Sequence, residues 1–308
     1  MPSYFVPLLF LRPAESTLSV SRPPFRLSAR KWTTSTFDLA TLATKHHLHL
    51  PYQLMDVLLG HSNLELEIDA PDVGAATESL TAILLGMYLS GVSPTLAPFA
   101  TTHSVNDYSG INSRDSEVLR SKLPEGQRIG VTTETATVEA WPLQLSLQCM
   151  IDASNLEVSE WQFQQAATKA STWLDLESTH RALRIVRDAA HSAPTLAPPE
   201  QALLHVWCAL EALFPKVSTE VSFRIALYLA QLSAQAGQRQ EYFERVRRAY
   251  NLRSRVAHGA DFRLQQADWL DSWGLLIDAG NAIVRRGRLP SDDELLAELL
   301  ADPELQER

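Results

Sequence analysis

The 308-residue chain contains only two cysteines, Cys149 and Cys208, which lie too far apart in sequence for a paired metal or redox motif. So few cysteines exclude a disulfide framework and favour a reducing compartment, and we interpret both as buried free thiols. An excess of basic charge is also absent, because 36 acidic residues outnumber 27 lysines and arginines and the net charge is −9. This excludes a protein that coats nucleic acid through a globally basic surface, while a local basic patch stays compatible with it.

Long apolar runs are missing as well. No segment approaches the ~20 apolar residues that a membrane-spanning helix requires. The opening run, MPSYFVPLLFLRP, is interrupted by Pro7 and follows no positive charge, so it predicts a strand rather than a secretory leader. With 45% hydrophobic and 20% charged residues, the composition is that of a globular protein. We therefore expect a soluble, cytoplasmic protein without a membrane partner.

The hydrophobic patterning changes near residue 155. Before this point, apolar spacing predicts a helix over Val73–Leu89 among several strand-like runs. Those runs are 4–11, 63–68, 95–102, 129–141 and 143–150. After this point, helical periodicity is continuous. The fold class predicted is α+β, with an N-terminal mixed α/β domain at 1–155, an all-α helical bundle at 156–290 and an acidic tail at 291–308 that forms a short amphipathic helix.

Two polar segments of the N-terminal half are candidate sites. The loop 101–115 contains His103, Asn106, Asp107 and Asn112, which either bind a ligand or satisfy the backbone of turns. The segment KHHLHL contains His46, His47 and His49. Imidazoles are common metal ligands, but no cysteine or carboxylate with ligand spacing accompanies these three, so we assign no metal and no cofactor.

An arginine and a histidine stand five positions apart near the end of the helix predicted over 238–258. At ~100° per residue, Arg253 and His258 face the same half of this helix, and Arg253 lies beside its apolar stripe. A buried cation there is costly without a partner. One interpretation pairs Arg253 with Glu211 and lets His258 cap the helix. The other is a phosphate-binding guanidinium beside an imidazole that transfers protons. The residues alone leave both open.

Three segments resemble the HEPN superfamily, and within it the ApeA-like branch: WCALEALF, VSFRIALYLAQL and YFERVRRAYNLRSRVAHG. The resemblance covers about residues 174–286, and its most specific part is the R-x4-H motif, present as Arg253 and His258. It implies a helical bundle that dimerises so that two motifs meet in one cleft. In active members it implies a metal-independent endoribonuclease, in which the 2′-hydroxyl of the RNA attacks the adjacent phosphate.

Carried onto this chain, the resemblance gives each residue a role. His258 would exchange the proton and Arg253 would stabilise the charge of the phosphorane. Position 254, often a polar Asn, Asp or His in the superfamily, is Ser254 here, and we include it with Glu211 among the candidate catalytic residues. The basic residues of the helix either line the cleft or form a solvated face; they are Arg245, Arg247, Arg248, Arg253 and Arg255.

The predicted function is therefore that of a homodimeric endoribonuclease that acts on RNA. Many proteins of this kind act in phage defence or toxin systems, and by that association we expect such a system here. Its N-terminal domain would regulate the nuclease, with a possible regulatory partner there, or would recognise a target. An alternative is a catalytically silent HEPN scaffold for RNA binding or dimerisation. A third hypothesis places the chemistry in the N-terminal half, at 46–49 or 103–115.

Overall fold

A computed structural model describes residues 1–47, 52–136, 154–196, 198–235, 237–259 and 263–301. These residues form a mixed α/β structure with one four-stranded sheet and many helices. The helices are α1 Thr36–Lys45, α2 Tyr52–Gly60, α3 Val73–Leu89, α4 Ile111–Arg114, α5 Glu117–Arg120, α6 Glu160–Glu177, α7 Arg181–Ser192, α8 Pro199–Ala212, α9 Val221–Ser233, α10 Arg239–Ala257, α11 Gln266–Arg286 and α12 Asp292–Leu300.

The chain packs as two compact units. The first contains Met1–Leu80 and the described residues of Ser90–Leu145 and Ala153–Ala167, and the second contains Thr81–Leu89 and the described residues from 168 onward. Helices α3 and α6 each begin in the first unit and end in the second. This division differs from the single boundary near residue 155 that the sequence predicted. A change in hydrophobic periodicity shows where helices begin along the chain, and not which segments pack together.

The sheet of the first unit is antiparallel, with strand order β1-β5-β4-β3. The strands of the chain are β1 Ser3–Leu8, β2 Arg12–Pro13, β3 Ser19–Arg22, β4 Phe25–Ala29, β5 Leu64–Asp69 and β6 Glu157–Val158. Short strands β2 and β6 pair in parallel outside this sheet. In the register, Val6 lies opposite Leu66 and Leu27 lies opposite Leu66 on its other side, and all three are fully buried. The alternation of apolar residues thus forms the buried face of the sheet.

Two of the predicted strands are confirmed: 63–68 corresponds to β5, and 4–11 corresponds to β1 as far as Leu8. The run 95–102 forms only isolated bridges, Phe5 with Thr101 and Leu9 with Leu96, so that prediction is wrong as a strand. Residues 129–136 contain no strand, and 137–150 lie outside the described residues. The hairpin of β3 and β4 was not predicted.

The second unit buries a core of tryptophans between its helices. Trp173, Trp207 and Trp269 are almost completely buried, and Trp269 stacks on Trp273 with ring centroids 5.6 Å apart. The predicted tail helix is confirmed as α12, whose N-terminus is closed by a capping box of Ser291 and Glu294.

A histidine in the last turn of α7 makes the stability of the fold pH-dependent. Burial lowers the pKa of His191 below its ordinary 6.5, against the opposing charge of Asp188. Below pH 6.5 the unfolded chain therefore binds a proton that the folded chain resists, and the free energy of unfolding should decrease as the pH falls. Above pH 6.5 both states are neutral and His191 contributes no pH dependence.

We expect His191→Gln to flatten this decrease between pH 6.5 and 5, as measured by urea unfolding at several pH values. His258→Gln, at an exposed histidine of the same unit, is the matched control and should keep the slope of the native chain. An unchanged slope in His191→Gln would show that other groups cause the acid sensitivity.

Candidate active site

Helix α10 carries the predicted motif in its last turns. Its buried face includes Val246 and Ala249, whereas Ala257 in the last turn is exposed. The helix ends at His258, whose backbone N–H donates to the carbonyl of Ser254 at 3.1 Å. Gly259 follows in the left-handed region at φ +68°, a conformation that favours glycine and stops the helix. The side chain of His258 is therefore presented at an exposed helix end.

Arg253 forms an ion pair with Glu211 of α8. One terminal nitrogen of the guanidinium lies 3.1 Å from Oε1 and 3.2 Å from Oε2 of the carboxylate, and only the contact with Oε2 has hydrogen-bond geometry. About a quarter of each side chain is exposed, 24% for Arg253 and 27% for Glu211. The pairing that the sequence left open as an alternative is thus present, as a part-exposed pair rather than a buried one.

The guanidinium of Arg253 keeps most of its hydrogen-bonding capacity. Glu211 accepts from one of the five N–H donors that an arginine carries, and Nε is buried without a hydrogen-bond partner among the described residues. Buried donors are rarely left unsatisfied, so each such donor requires an explanation. The exposed part of the guanidinium can in addition donate to an anion beside the pair.

The guanidinium of Arg253 lies over the ring of Tyr250. The carbon centre of the guanidinium lies 5.5 Å from the centroid of the tyrosine ring, within the range of a cation–π contact. Behind it, Trp207 meets the ring edge-on at 5.2 Å and donates from Nε1 to Ser272 Oγ at 3.2 Å. Tyr250 was not among the predicted site residues, although its i, i+3 spacing to Arg253 was visible in the sequence.

Burial and then the negative charge of Glu211 raise the pKa of Tyr250, so its phenol stays protonated at neutral pH. The structure therefore groups Arg253, Glu211 and Tyr250. His258 and Ser254 follow in the next turn, the histidine exposed and the serine half-buried.

The arginines of α10 separate into two groups. Arg245 binds Asp271 at 2.6 Å and Asp278 at 3.2 Å, both on α11. It therefore belongs to the packing between these helices, and not to the cleft or the solvated face that the sequence left open. Arg247 is exposed and lies over the ring of Phe243 at 5.7 Å. Arg248 and Arg255 are exposed as well, and together with Arg247 they form the basic surface of the helix.

The polar residues of the loop 101–115 hold the segment before α1 and α1 itself. Asn106 accepts from the backbone N–H of Thr33 at 2.8 Å and donates to the carbonyl of Lys31 at 3.0 Å. Asn112 donates to the carbonyl of Phe37 at 3.3 Å. These contacts favour the structural interpretation of the loop.

Among the described residues, the histidine-rich segment and Cys208 do not join other potential ligands in a metal-binding group. Burial lowers the pKa of His46, His49 lies outside the described residues, and the described parts of the chain contain no group of three potential metal ligands. Cys208 is an exposed free thiol, which corrects the prediction that it is buried, and Cys149 lies outside the described residues. On a helix that is buried on one side only, an apolar sequence context does not fix which way a small side chain points.

No family model, curated protein or solved structure matches the chain. Within the described ranges, none of the helices is long and apolar enough to cross a membrane. The chemistry of the site is therefore assigned from its own side chains.

Proposed function

We propose that this protein is a metal-independent endoribonuclease of the HEPN type that acts on RNA in the cytoplasm as a homodimer. One observation carries the proposal: the last turns of α10 combine an arginine oriented by Glu211 and Tyr250 with an exposed histidine at the helix end. Phosphodiester transfer requires a cation that stabilises charge and a group that transfers a proton, and the planar guanidinium and the imidazole can supply these two functions.

In the proposed reaction, the 2′-oxygen of the RNA forms a bond to the adjacent phosphorus and the bond from phosphorus to the 5′-oxygen breaks. The products are a 2′,3′-cyclic phosphate and a 5′-hydroxyl. A base must take the proton of the 2′-hydroxyl and an acid must protonate the leaving 5′-oxygen. The nucleophile belongs to the RNA itself, so the protein needs to supply proton transfer and charge stabilisation only.

His258 takes one of the two proton-transfer roles. A single imidazole cannot be base and acid for the same step, so a second copy of the chain would provide the other. Arg253 stabilises the additional negative charge of the phosphorane through the donors that Glu211 leaves unused. Glu211 and Tyr250 are positioning residues, because they fix the plane of the guanidinium before RNA binds.

The dimer is proposed on the face of α10 that leads to His258. Phe243, Arg247, Tyr250, Ser254 and His258 recur at helical spacing and so share this face. Phe223 of α9 meets Phe243 edge-on at 5.6 Å, yet 46% of its surface is exposed. Covering these rings with the same face of a second copy would remove apolar surface from water and place the two histidines in one cleft.

The ion pair itself favours a second candidate, the catalytically silent scaffold. If Glu211 merely neutralises Arg253, the α10 surface would bind RNA or a second copy through Arg247, Arg248 and Arg255 without cleaving it. RNA binding without cleavage, unchanged after His258→Ala, is the result that this candidate predicts.

Replacement of Glu211 with glutamine separates the two candidates. The amide keeps the shape of the side chain but releases the charge that orients Arg253. We expect RNA cleavage to decrease about tenfold, which corresponds to ~1.4 kcal/mol in the barrier. The free energy of unfolding should change by about 1 kcal/mol or less, because part-exposed ion pairs contribute little.

The matched control is Glu244→Gln, at an exposed carboxylate of α10. Initial rates on a short RNA and thermal unfolding of both variants provide the comparison. Equal cleavage rates for Glu211→Gln and Glu244→Gln would show that Glu211 has no role in the reaction.

A further inference from the structure

The first unit contains a cavity of about 700 Å³ that the proposed nuclease does not use. Six of its lining residues combine aromatic, cationic and acidic character: Phe10, Arg12, Arg30, Lys31, Trp32 and Asp56. Cavities of this size hold small organic ligands. All six residues belong to the first unit, whose role the R-x4-H motif does not explain.

Phe10 adopts a backbone conformation that bulky residues avoid. Its φ is +65°, in the left-handed region, which is strained and therefore costly for a non-glycine residue. Phe10 is nevertheless 40% exposed, so burial of its ring in the core does not compensate for the strained backbone. Strained backbone of this kind is found at ligand sites, where the surrounding structure holds a side chain toward its ligand.

Two adjacent cations line the same cavity. Arg30 donates from Nε to Glu65 at 2.8 Å, and Glu65 is 1% exposed, so this edge of the guanidinium is firmly anchored. The terminal NH2 groups of Arg30 and the amine of the exposed Lys31 have no hydrogen-bond partner among the described residues. These groups suit the oxygens of a phosphate, which a planar guanidinium and an ammonium bind well. Arg12 adds a third cation, although it pairs with Glu157 at 3.1 Å.

The remaining lining groups have the opposite polarity. Asp56, which is exposed, contributes a carboxylate to the lining of the cavity. Helix α2 ends at Gly60, another lining residue, so the negative end of its dipole also lies at the cavity. Such acceptors suit hydroxyl or amino donors rather than an anion. Trp32 is held rigidly, since its Nε1 donates to the carbonyl of Ser62 at 2.5 Å, and its ring joins Phe10 in lining the cavity.

We propose that this cavity binds a nucleotide. Its phosphate lies at Arg30 and Lys31, its base lies against the aromatic rings of Phe10 and Trp32, and its ribose hydroxyls or amino group donate to Asp56. A nucleoside phosphate combines a planar ring, an anionic end and a donor-bearing sugar, and it is small enough for the cavity. This site is independent of the proposed nuclease, and its binding is measured without RNA.

Two variants test the site. Phe10→Gly removes the ring and at the same time relieves the left-handed backbone, so it should leave the unfolding temperature unchanged or raised while weakening nucleotide binding at least tenfold. Lys31→Glu reverses a charge on the surface and should weaken binding by a similar factor. Matched controls are Phe37→Ala, at a ring that is 79% exposed outside the cavity, and Lys122→Glu, at another exposed lysine of this unit.

Binding of ATP and GTP to the full-length protein is measured by calorimetry, with adenosine, guanosine and pyrophosphate as partial ligands. We expect a nucleotide to bind at least tenfold more tightly than its nucleoside and than pyrophosphate. The proposal is overturned if neither nucleotide binds, if pyrophosphate binds as tightly, or if both variants bind like the native chain. His258→Ala protein should give the same affinities, so a failure of the nuclease does not affect the result.

Discussion

Replacing His258 with alanine should reduce RNA cleavage by about 10²–10⁴-fold, the range that removal of a general acid or base produces. The imidazole is exposed at the end of α10 and makes no side-chain hydrogen bond to the described residues, so the substitution removes no core packing. We therefore expect the unfolding temperature and the mass of the proposed dimer to be unchanged. Initial rates on a defined RNA, together with light scattering, measure both properties.

His47→Ala is the matched control, since His47 is an exposed histidine of the first unit that does not line the proposed nucleotide cavity. It should cleave RNA at the native rate. A His258→Ala protein that is folded and dimeric yet retains full cleavage would remove this residue from the reaction.

The second large effect is expected at Arg253. Arg253→Ala should lower kcat by about 10²–10³-fold, as for other residues that stabilise a developing oxyanion. It also leaves Glu211 without its partner and uncovers the ring of Tyr250. Arg253→Lys should not restore the rate, because an ammonium lacks the planar fork that can hold Glu211 and a phosphate together.

Stability measurements separate catalysis from folding in these variants. The pair is part-exposed, so its loss should lower the free energy of unfolding by only about 1 kcal/mol. Arg184→Ala, at an exposed arginine of α7, serves as the control for removal of a surface charge. If Arg253→Lys cleaves at the native rate, the planar geometry of the guanidinium has no role.

Local patterns predicted those elements that local forces determine. The bounds of α3 follow from its apolar spacing, and the start of α12 follows from the Ser291 and Glu294 capping box. The β3–β4 hairpin was not predicted, because its turn is Pro23-Pro24 and not one of the glycine-containing pairs that are typical of hairpins. Residues 95–102 have strand-like composition, but the pairing that would complete a strand depends on distant segments.

The site was predictable only in part for the same reason. The sequence offered Arg253 with Glu211 as one possibility, yet the two are 42 residues apart and only tertiary packing brings them together. Tertiary packing also determines that Arg245 forms ion pairs with aspartates of α11 while Arg247 is exposed. The two arginines lie on the same helix, so their sequence positions alone did not predict this difference. Tyr250 gains its role from the arginine above it and from Trp207 behind it.

The central claim is that the R-x4-H motif cleaves RNA through the RNA's own 2′-hydroxyl. Native and His258→Ala proteins, each in excess EDTA, are incubated with total RNA and separately with tRNA, and the product ends are identified. We predict 2′,3′-cyclic phosphate and 5′-hydroxyl ends from the native protein and no cleavage by the variant. Equal cleavage by both proteins, products with 5′-phosphate ends, or RNA that is bound but not cut would contradict the claim.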